Sequence, residues 1–564
     1  MTKDNISYLK RLQRFKKIWQ PFISFLDKMR LLPFLIPLIN FVLKLLGIKK
    51  RFQKDLNYRL IGKIFNNEIV KYDPMSNKKT VVIPFFSGGN NLFFLINLIL
   101  VKRLQRKGYQ AIFLVCDKSL PICNNERINK TRNEDKHLCK ICFDPFDFIK
   151  KNTGASIENL SFYKNSSYEY EHLIDQLNSL NDCENFCYDG INFGKIAKKS
   201  VMRYFLVGEL SNKVEHIKVY KKFIHALTSF HNSWLNFINK NNINPNLLLI
   251  YNGSLSFETY LRKICKEQNI NFITHETYIG TNSWVYKFND EVMKLRWMNE
   301  WETYRLNPLI ELNEQKVHEF MKQLRGGVHM YAKLNKELPL DDRLINKSFV
   351  VLFTNLSFDT TVLGRDTIFN SMNEWIINVI EFWMKIETEQ ILVIRIHPGE
   401  KKLLSASSDF VGEKIKHKIN GKSNIILFDA DDVVDSYSLI ENMEFSLIYS
   451  STIGLEIAYY KKYSLIASDA FYMDIGFTEN PSSKEDYFAK LENWLSYPPH
   501  NKKLQYEDVL KFIFFIYFKQ VKYLKGLKMD HKLQSNFFNF KNSNEFENLN
   551  SDIFLELESE LATL

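Results

Sequence analysis

The sequence predicts an α/β protein made of two Rossmann-like halves facing each other across a cleft, with a basic amphipathic helical segment in front. Three observations carry this reading. Short runs rich in β-branched and aromatic residues, such as KTVVIPFF, NLLLIYNGS, SFVVLFTN and QILVIRIHP, are each followed by a helical pattern, as parallel strands with crossover helices require. These runs fall into two sets separated by a charged, helical stretch at 290–346. A chain of 564 residues is also too long for one ordinary core, so two domains are expected. The division is 1–75 for the amphipathic segment, 76–330 and 331–527 for the two halves, and 528–564 for a mobile tail.

Composition fits a globular protein, with 45% hydrophobic and 25% charged residues. The formal charge of +12 is concentrated at the start. Residues 1–54 hold 13 Lys/Arg against Asp4 and Asp27, a net of +11, which leaves the remainder close to neutral. A nucleic-acid-binding body, which needs a basic face on the folded domain, is thereby excluded.

In that first segment Tyr8, Leu12, Phe15, Trp19, Phe22 and Leu26 recur at steps of four and three, with Lys10, Arg14, Lys17 and Lys28 elsewhere on the wheel. Pro21 kinks or restarts the helix. The apolar stretch Leu31–Ile48 contains Pro33, Pro37, Asn40 and Lys44, and is short and broken for a spanning helix of about 20 apolar residues. The segment reads as an interfacial anchor on an anionic cytoplasmic leaflet, where each basic residue contributes about 1 kcal/mol. An amphipathic hairpin packed on the protein's own body is the alternative. No cleavable signal is visible, so the expected location is cytoplasmic and peripheral on the inner face of the membrane.

The first half opens with a strand at Lys79–Phe86 and a turn, Ser87-Gly88-Gly89-Asn90-Asn91. Gly88, Gly89 and Asn90 let the backbone approach a ligand closely on the acceptor side, although neither G-x-G-x-x-G nor GK[ST] is present. A helix at Leu92–Leu104 ends at Gly108, and Ala111–Cys116 is the next strand. Cys116, Cys123, Cys139 and Cys142, with His137 nearby, could clamp one zinc ion, but six residues separate the first pair. Buried thiols are the favoured reading, here as for the loose pair Cys183 and Cys187.

Phe143–Leu180 reads as a polar helical excursion, and Ile196–Ile238 as helix. The strand from Asn246 delivers Asn252-Gly253 to the cleft rim. A helix at Leu255–Glu267 and a strand ending in His275-Glu276 follow. A carboxylate at such a rim can take a proton from a sugar hydroxyl; local capping is the alternative role for Glu276.

The second half begins with a strand at Phe349–Thr354, then a loop bearing Asp359, Thr360, Thr361 and Arg365, and a helix at Met372–Lys385. Strands at Ile391–Ile396, Asn424–Phe428 and Phe445–Tyr449 come next. The first empties into Arg395, His397-Pro398 and Glu400, and the last into Ser450-Ser451-Thr452 ahead of an apolar helix carrying Glu456. Ligands of open parallel sheets bind outside the carboxyl ends of the strands, so both sets face one crevice. Hydroxyls opening a helix suit a phosphate; a plain N-cap and a strand-ending turn are the bland alternatives. After a strand at Tyr463–Ser468, an aromatic helix at Leu504–Leu524 is placed to cross back to the first half.

Several of these motifs together carry a resemblance: R-I-H-P-G-E at Arg395–Glu400, Y-S-S-T-I-G-L-E at Tyr449–Glu456, Y-N-G at Tyr251–Gly253, T-H-E-x-x-x-G at Thr274–Gly280, and T-N-x-x-x-D-x-x-x-x-G-R-D at Thr354–Asp366. The chain resembles the capsule polysaccharide biosynthesis proteins, a group similar to GT-B glycosyltransferases, over about Lys79–Asn480. The His-Pro and Ser-Ser/Thr elements also resemble the nucleotide-binding motifs of bacterial sialyltransferases and Kdo transferases, which use CMP-activated sugars.

The resemblance implies a metal-independent transferase whose nucleotide-sugar is a substrate, so that no cofactor is expected. Its acceptor would be a glycan or a lipid-linked glycan. It implies that His397 contacts the donor phosphate or the leaving nucleotide, with Arg395 a further donor-binding residue, that Ser450, Ser451 and Thr452 bind the phosphate, and that Glu456 holds ribose hydroxyls. The Asp/Glu-Asp-Gly base motif of the sialyltransferases is absent, which leaves Glu276 first and Asp359 second as base. A UDP-sugar 2-epimerase-like enzyme and a non-catalytic assembly protein of a membrane polysaccharide machine are the other two readings.

Overall fold

The computed structural model describes residues 78–85, 91–128, 139, 146–164, 169–241, 243–278, 282–326, 338–402, 409–499, 506–530, 535–538 and 543–563. The amphipathic segment 1–54 and its membrane role, together with Gly88, Gly89, Asn90 and Cys142, lie outside the described residues.

The strands in chain order are β1 (Thr80–Phe85), β2 (Gln110–Val115), β3 (Ser156–Asn159), β4 (Cys187–Tyr188), β5 (Ile191–Asn192), β6 (Leu247–Tyr251), β7 (Asn271–Glu276), β8 (Ser283–Phe288), β9 (Phe349–Phe353), β10 (Ile391–Arg395), β11 (Ile425–Phe428), β12 (Ser446–Ile448), β13 (Ser464–Ile466), β14 (Lys522–Tyr523), β15 (Leu527–Asp530) and β16 (Ser535–Phe538). They form two large sheets. One has seven strands in the order β14-β8-β7-β6-β1-β2-β3, and the other five in the order β11-β10-β9-β12-β13. The second sheet is parallel throughout. The first is parallel from β7 to β3 and antiparallel at the β8 and β14 edge. Two Rossmann-like α/β lobes, expected from the alternating runs, are what the chain forms.

Each central strand is buried on both faces, and the period of two decides which residue goes where. In β9, Phe349, Val351 and Phe353 enter one core while Val350 and Leu352 enter the other. In β2, Ile112 and Leu114 face the helices Phe193–Phe205, Val214–Asn241 and Ser256–Glu267, whereas Ala111, Phe113 and Val115 face the helix Asn91–Arg106. Gly108, at φ +88°, turns the chain out of that helix, where a side chain would be strained.

The lobes share one core. It runs from Val285, Trp297 and Trp301 of the first half, through Phe349 and Val351, to Phe512, Phe515 and Tyr517. The helix Tyr506–Phe514 therefore crosses back as expected, and β14 directly after it joins the first sheet beside β8.

Two expectations need correction. The mobile tail at 528–564 is instead structured over its described residues: β15 and β16 pair, and the helices Ser543–Leu549 and Ser551–Ala562 pack on the first lobe. Phe546, Phe554 and Leu557 are buried against the helix Asn91–Arg106, while Glu547 and Glu558 pair with Arg103. Apolar residues spaced three and four apart within an Asn/Glu-rich background were enough to dock a helix. The polar excursion at 143–180 also holds a strand, β3, whose residues are all half-exposed because it lies at the sheet edge.

Candidate functional site

In both sheets the chain starts in the middle, builds outward on one side, then jumps to the other. Crevices form at such reversals, outside the carboxyl ends of the strands. In the second sheet the reversal is at β9, between β10 and β12. In the first it lies between β1 and β6. The carboxyl end of β6 is Tyr251-Asn252, and those of β10 and β12 lead into His397 and Ser450–Thr452.

The end of β9 ties its two neighbours together. Thr354 Oγ1 accepts from the backbone N–H of His397 at 2.9 Å, and Asn355 Oδ1 accepts from that of Ser450 at 3.5 Å. His397 is half-buried, and its Nδ1 accepts from the backbone N–H of Gly399 at 3.0 Å. A neutral ring so held carries its proton on Nε2, which makes that atom the donor. Ser450 is buried and spends its hydroxyl on the Thr361 carbonyl at 3.2 Å. Ser451 and Thr452 are half-exposed, Thr452 makes no side-chain cap, and Ser451 Oγ lies 3.5 Å from the Ile453 N–H. The hydroxyls of Ser451 and Thr452 therefore remain for a ligand. Tyr472 OH holds the Ser451 carbonyl at 2.5 Å, over Gly454, where a Cβ would stand 2.6 Å from Tyr472 Cζ.

Arg395 is 2% exposed and donates to the Asp429 carbonyl at 2.8 Å, which makes it a strut between β10 and the end of β11. Burial lowers its pKa to about 10, an indication of how little solvent reaches it. Glu400, pushed up to about 7 by burial, accepts from the Val411 N–H at 2.5 Å and likewise faces inward. Glu456 accepts from Tyr437 OH at 2.5 Å, and burial raises its carboxyl.

In the first lobe, Asn252 has φ +58° and Gly253 φ +88°, a sharp turn that brings Asn252 Nδ2 to 3.0 Å from Glu276 Oε2. The other oxygen, Oε1, accepts from the Thr277 N–H at 2.8 Å and the Thr277 hydroxyl at 3.1 Å. Glu276 is 8% exposed, and burial raises its pKa against these bonds. Tyr278, two residues on, stacks on Tyr517, in the π-helical turn Phe515–Gln520 that continues the crossing helix, and lies within electrostatic reach of Glu456 and Asp359. The end of β7 thus faces the second lobe. Asp359 spends Oδ1 on the Thr361 N–H and hydroxyl, at 2.9 and 3.0 Å. His275 is fully buried, held to about 3 by burial, and bonded through Nε2 to Asn97.

Sequence reasoning passed over three groups. Thr354 and Asn355 entered only as part of a motif, yet they join the site. Glu258, pushed up to about 7 by burial, sits in a buried network with Asn124, Ser200 and Ser256. Lys199 stands at the seam between lobes. Of the ligands of the zinc alternative, Cys116, Cys123 and Cys139 are half-buried and in no disulfide, and among the described residues no three His, Cys, Asp or Glu gather to hold a metal ion. Among the described residues, no helix is long and apolar enough to cross a membrane.

No family model matches the chain, and no curated protein matches it. Similar solved structures include two from Thermosulfurimonas dismutans. The beta Kdo 2,4 transferase of KpsC shares 11% identity over 54% of this chain and 87% of its own, with a TM-score of 0.32. The beta Kdo 2,7 transferase of KpsC shares 14% over 56% and 89%, with a TM-score of 0.30. The UDP-GlcNAc 2-epimerase from Neisseria meningitidis shares 11% over 78% of this chain and 99% of its own, with a TM-score of 0.23.

Proposed function

We propose that this chain is a glycosyltransferase that uses a nucleotide-activated sugar, of the CMP-linked Kdo or sialic type, in the synthesis of capsular or other surface polysaccharide. The observation that carries the reading is the coincidence of polar side chains with both topological reversals. His397 and Ser450–Thr452 flank the end of β9, while Asn252 and Glu276 stand at the ends of β6 and β7.

The two sets divide the chemistry. Breaking a glycosyl–phosphate bond leaves charge on the departing nucleotide, and the His397 Nε2–H with the hydroxyls of Ser451 and Thr452 would stabilise it there. Glu276 would take the proton of the acceptor hydroxyl as the new glycosidic bond forms. A carboxylate whose pKa is raised by burial is a stronger base when ionised, and Asn252 and Thr277 fix its orientation. Asp359, with one oxygen committed to Thr361, is the second choice. The basic segment 1–54 would hold the enzyme on an anionic cytoplasmic leaflet, close to a glycan or lipid-linked acceptor.

Incubating the purified chain with CMP- and UDP-sugars, with and without glycan acceptors, tests the reading. Acceptor-dependent release of nucleotide supports it. Epimerised sugar would point to a 2-epimerase instead, and no turnover with any donor would leave an assembly role.

A further inference from the structure

Among the described residues, the groups that the second lobe sets around the end of β9 are an imidazole and two hydroxyls. Arg395, on the neighbouring strand, is committed to the Asp429 carbonyl. A phosphate carrying one or two charges would gain from a cation beside them.

The seam between the lobes holds one. Glu291, 3% exposed, accepts from Ser254 Oγ at 2.6 Å and pairs with Arg262 at 2.9 Å and Arg365 at 3.5 Å. Arg365 belongs to the second lobe and also donates to the Met293 carbonyl of the first, at 2.8 Å. Its other nitrogen lies 3.5 Å from Asp469, which pairs with Arg296 as well. The carboxylates of this cluster are thus already shared between arginines.

Lys199, on the first-lobe helix Phe193–Phe205, reaches across to the second-lobe loop after β9. A Cβ on Gly364 would stand 2.9 Å from its Nζ and closer still to its Cε. Among the described residues it makes no hydrogen bond or ion pair. It shares Glu291 with Arg262 and Arg365, and burial, with the repulsion of Arg365, Arg262 and Lys294, lowers its pKa. An anion arriving at Nζ would relieve that repulsion. The same loop carries Thr361, whose carbonyl holds Ser450 Oγ, so Lys199 packs on the loop that backs the phosphate site.

Building on the proposed function, we infer that Lys199 is the cation that the first lobe supplies to the donor's phosphate, so that nucleotide binding draws the lobes together. Gly364, at φ +71° and without a side chain, leaves the passage for the lysine stem.

Titration calorimetry on the full chain tests this, with CMP and UDP as probes and cytidine and uridine as uncharged controls. Lys199→Met should weaken nucleotide binding by about tenfold or more and leave nucleoside binding unchanged, whereas Lys199→Arg should restore most of the loss. Unchanged nucleotide affinity in Lys199→Met overturns the assignment; if His397→Ala still loses affinity, the phosphate site stands without the lysine. A wild-type chain that binds neither nucleotide removes the proposed function and this inference together. Should Lys199→Met fail to fold, the salt dependence of the unaltered chain decides. Affinity that falls several-fold from low to high salt supports a paired charge, and a flat response refutes it.

Discussion

Asn252 Nδ2 donates to Glu276 Oε2 across 3.0 Å, which links the ends of two adjacent strands through a residue held at φ +58°. Asn is among the few residues that tolerate that conformation, and its amide orients a carboxylate that burial drives towards the protonated form, opposing that shift in part. Glu276→Gln keeps the shape and removes the base. Turnover should fall by about 100-fold or more while donor affinity stays within about twofold. Steady-state kinetics beside equilibrium binding separates the two, and retained turnover would remove Glu276 as base.

His397→Ala and Ser451→Ala each delete one donor to a charged group, worth about 1.5–3 kcal/mol. Nucleotide affinity should fall by about tenfold or more in each, with little change in melting temperature because both side chains are half-exposed. Unaltered affinity in both variants would argue against the phosphate site.

Gly454→Ala should be costly despite its size. The added methyl would meet the Tyr472 ring and hydroxyl, and displacing Tyr472 would free the Ser451 carbonyl. We expect a loss of about 1–3 kcal/mol in stability, read from denaturant unfolding, together with weakened nucleotide binding.

Glu258 predicts a pH dependence. Its folded pKa, about 7, lies above the ordinary carboxylate value because burial penalises the charged form. The folded state therefore binds this proton more tightly than the unfolded one. That stability is fully present below the unfolded pKa and is lost as pH rises through about 7, by an amount on the order of 3 kcal/mol. Glu258→Gln should flatten the melting profile over that window, and a wild-type profile without decline across it would contradict the prediction.

Removing residues 1–54 takes away a net charge of +11. The shortened chain should no longer sediment with anionic liposomes yet should still hydrolyse donor. Persistent liposome binding would place the anchor elsewhere.

The strands were legible because each carries its own signal. A run such as ILVIR, buried on both faces, needs no distant partner to declare itself, and neither does the turn chemistry of Asn252-Gly253 or His397-Pro398. Their delivery to strand ends followed from the order of the chain alone. Contacts made by long side chains were not legible. Arg395 ends a strand at a crevice, yet it turns inward to the Asp429 carbonyl, and Ser450 gives its hydroxyl to Thr361 while Ser451 does not. The helices at 543–562 lay hidden because a sparse apolar stripe in a polar background resembles an unstructured tail until a partner surface exists.

The sequence by itself determined the local elements, the two-lobed α/β class and the polar residues placed at strand ends, because period, turn residues and burial pattern act within a few residues of each other. Only the tertiary structure decided which of those polar groups remain for a ligand and which are consumed as struts, and that Lys199 from one lobe meets Gly364 of the other. Such pairings depend on the distance between residues far apart in the chain, which the packing of the shared core between the lobes sets.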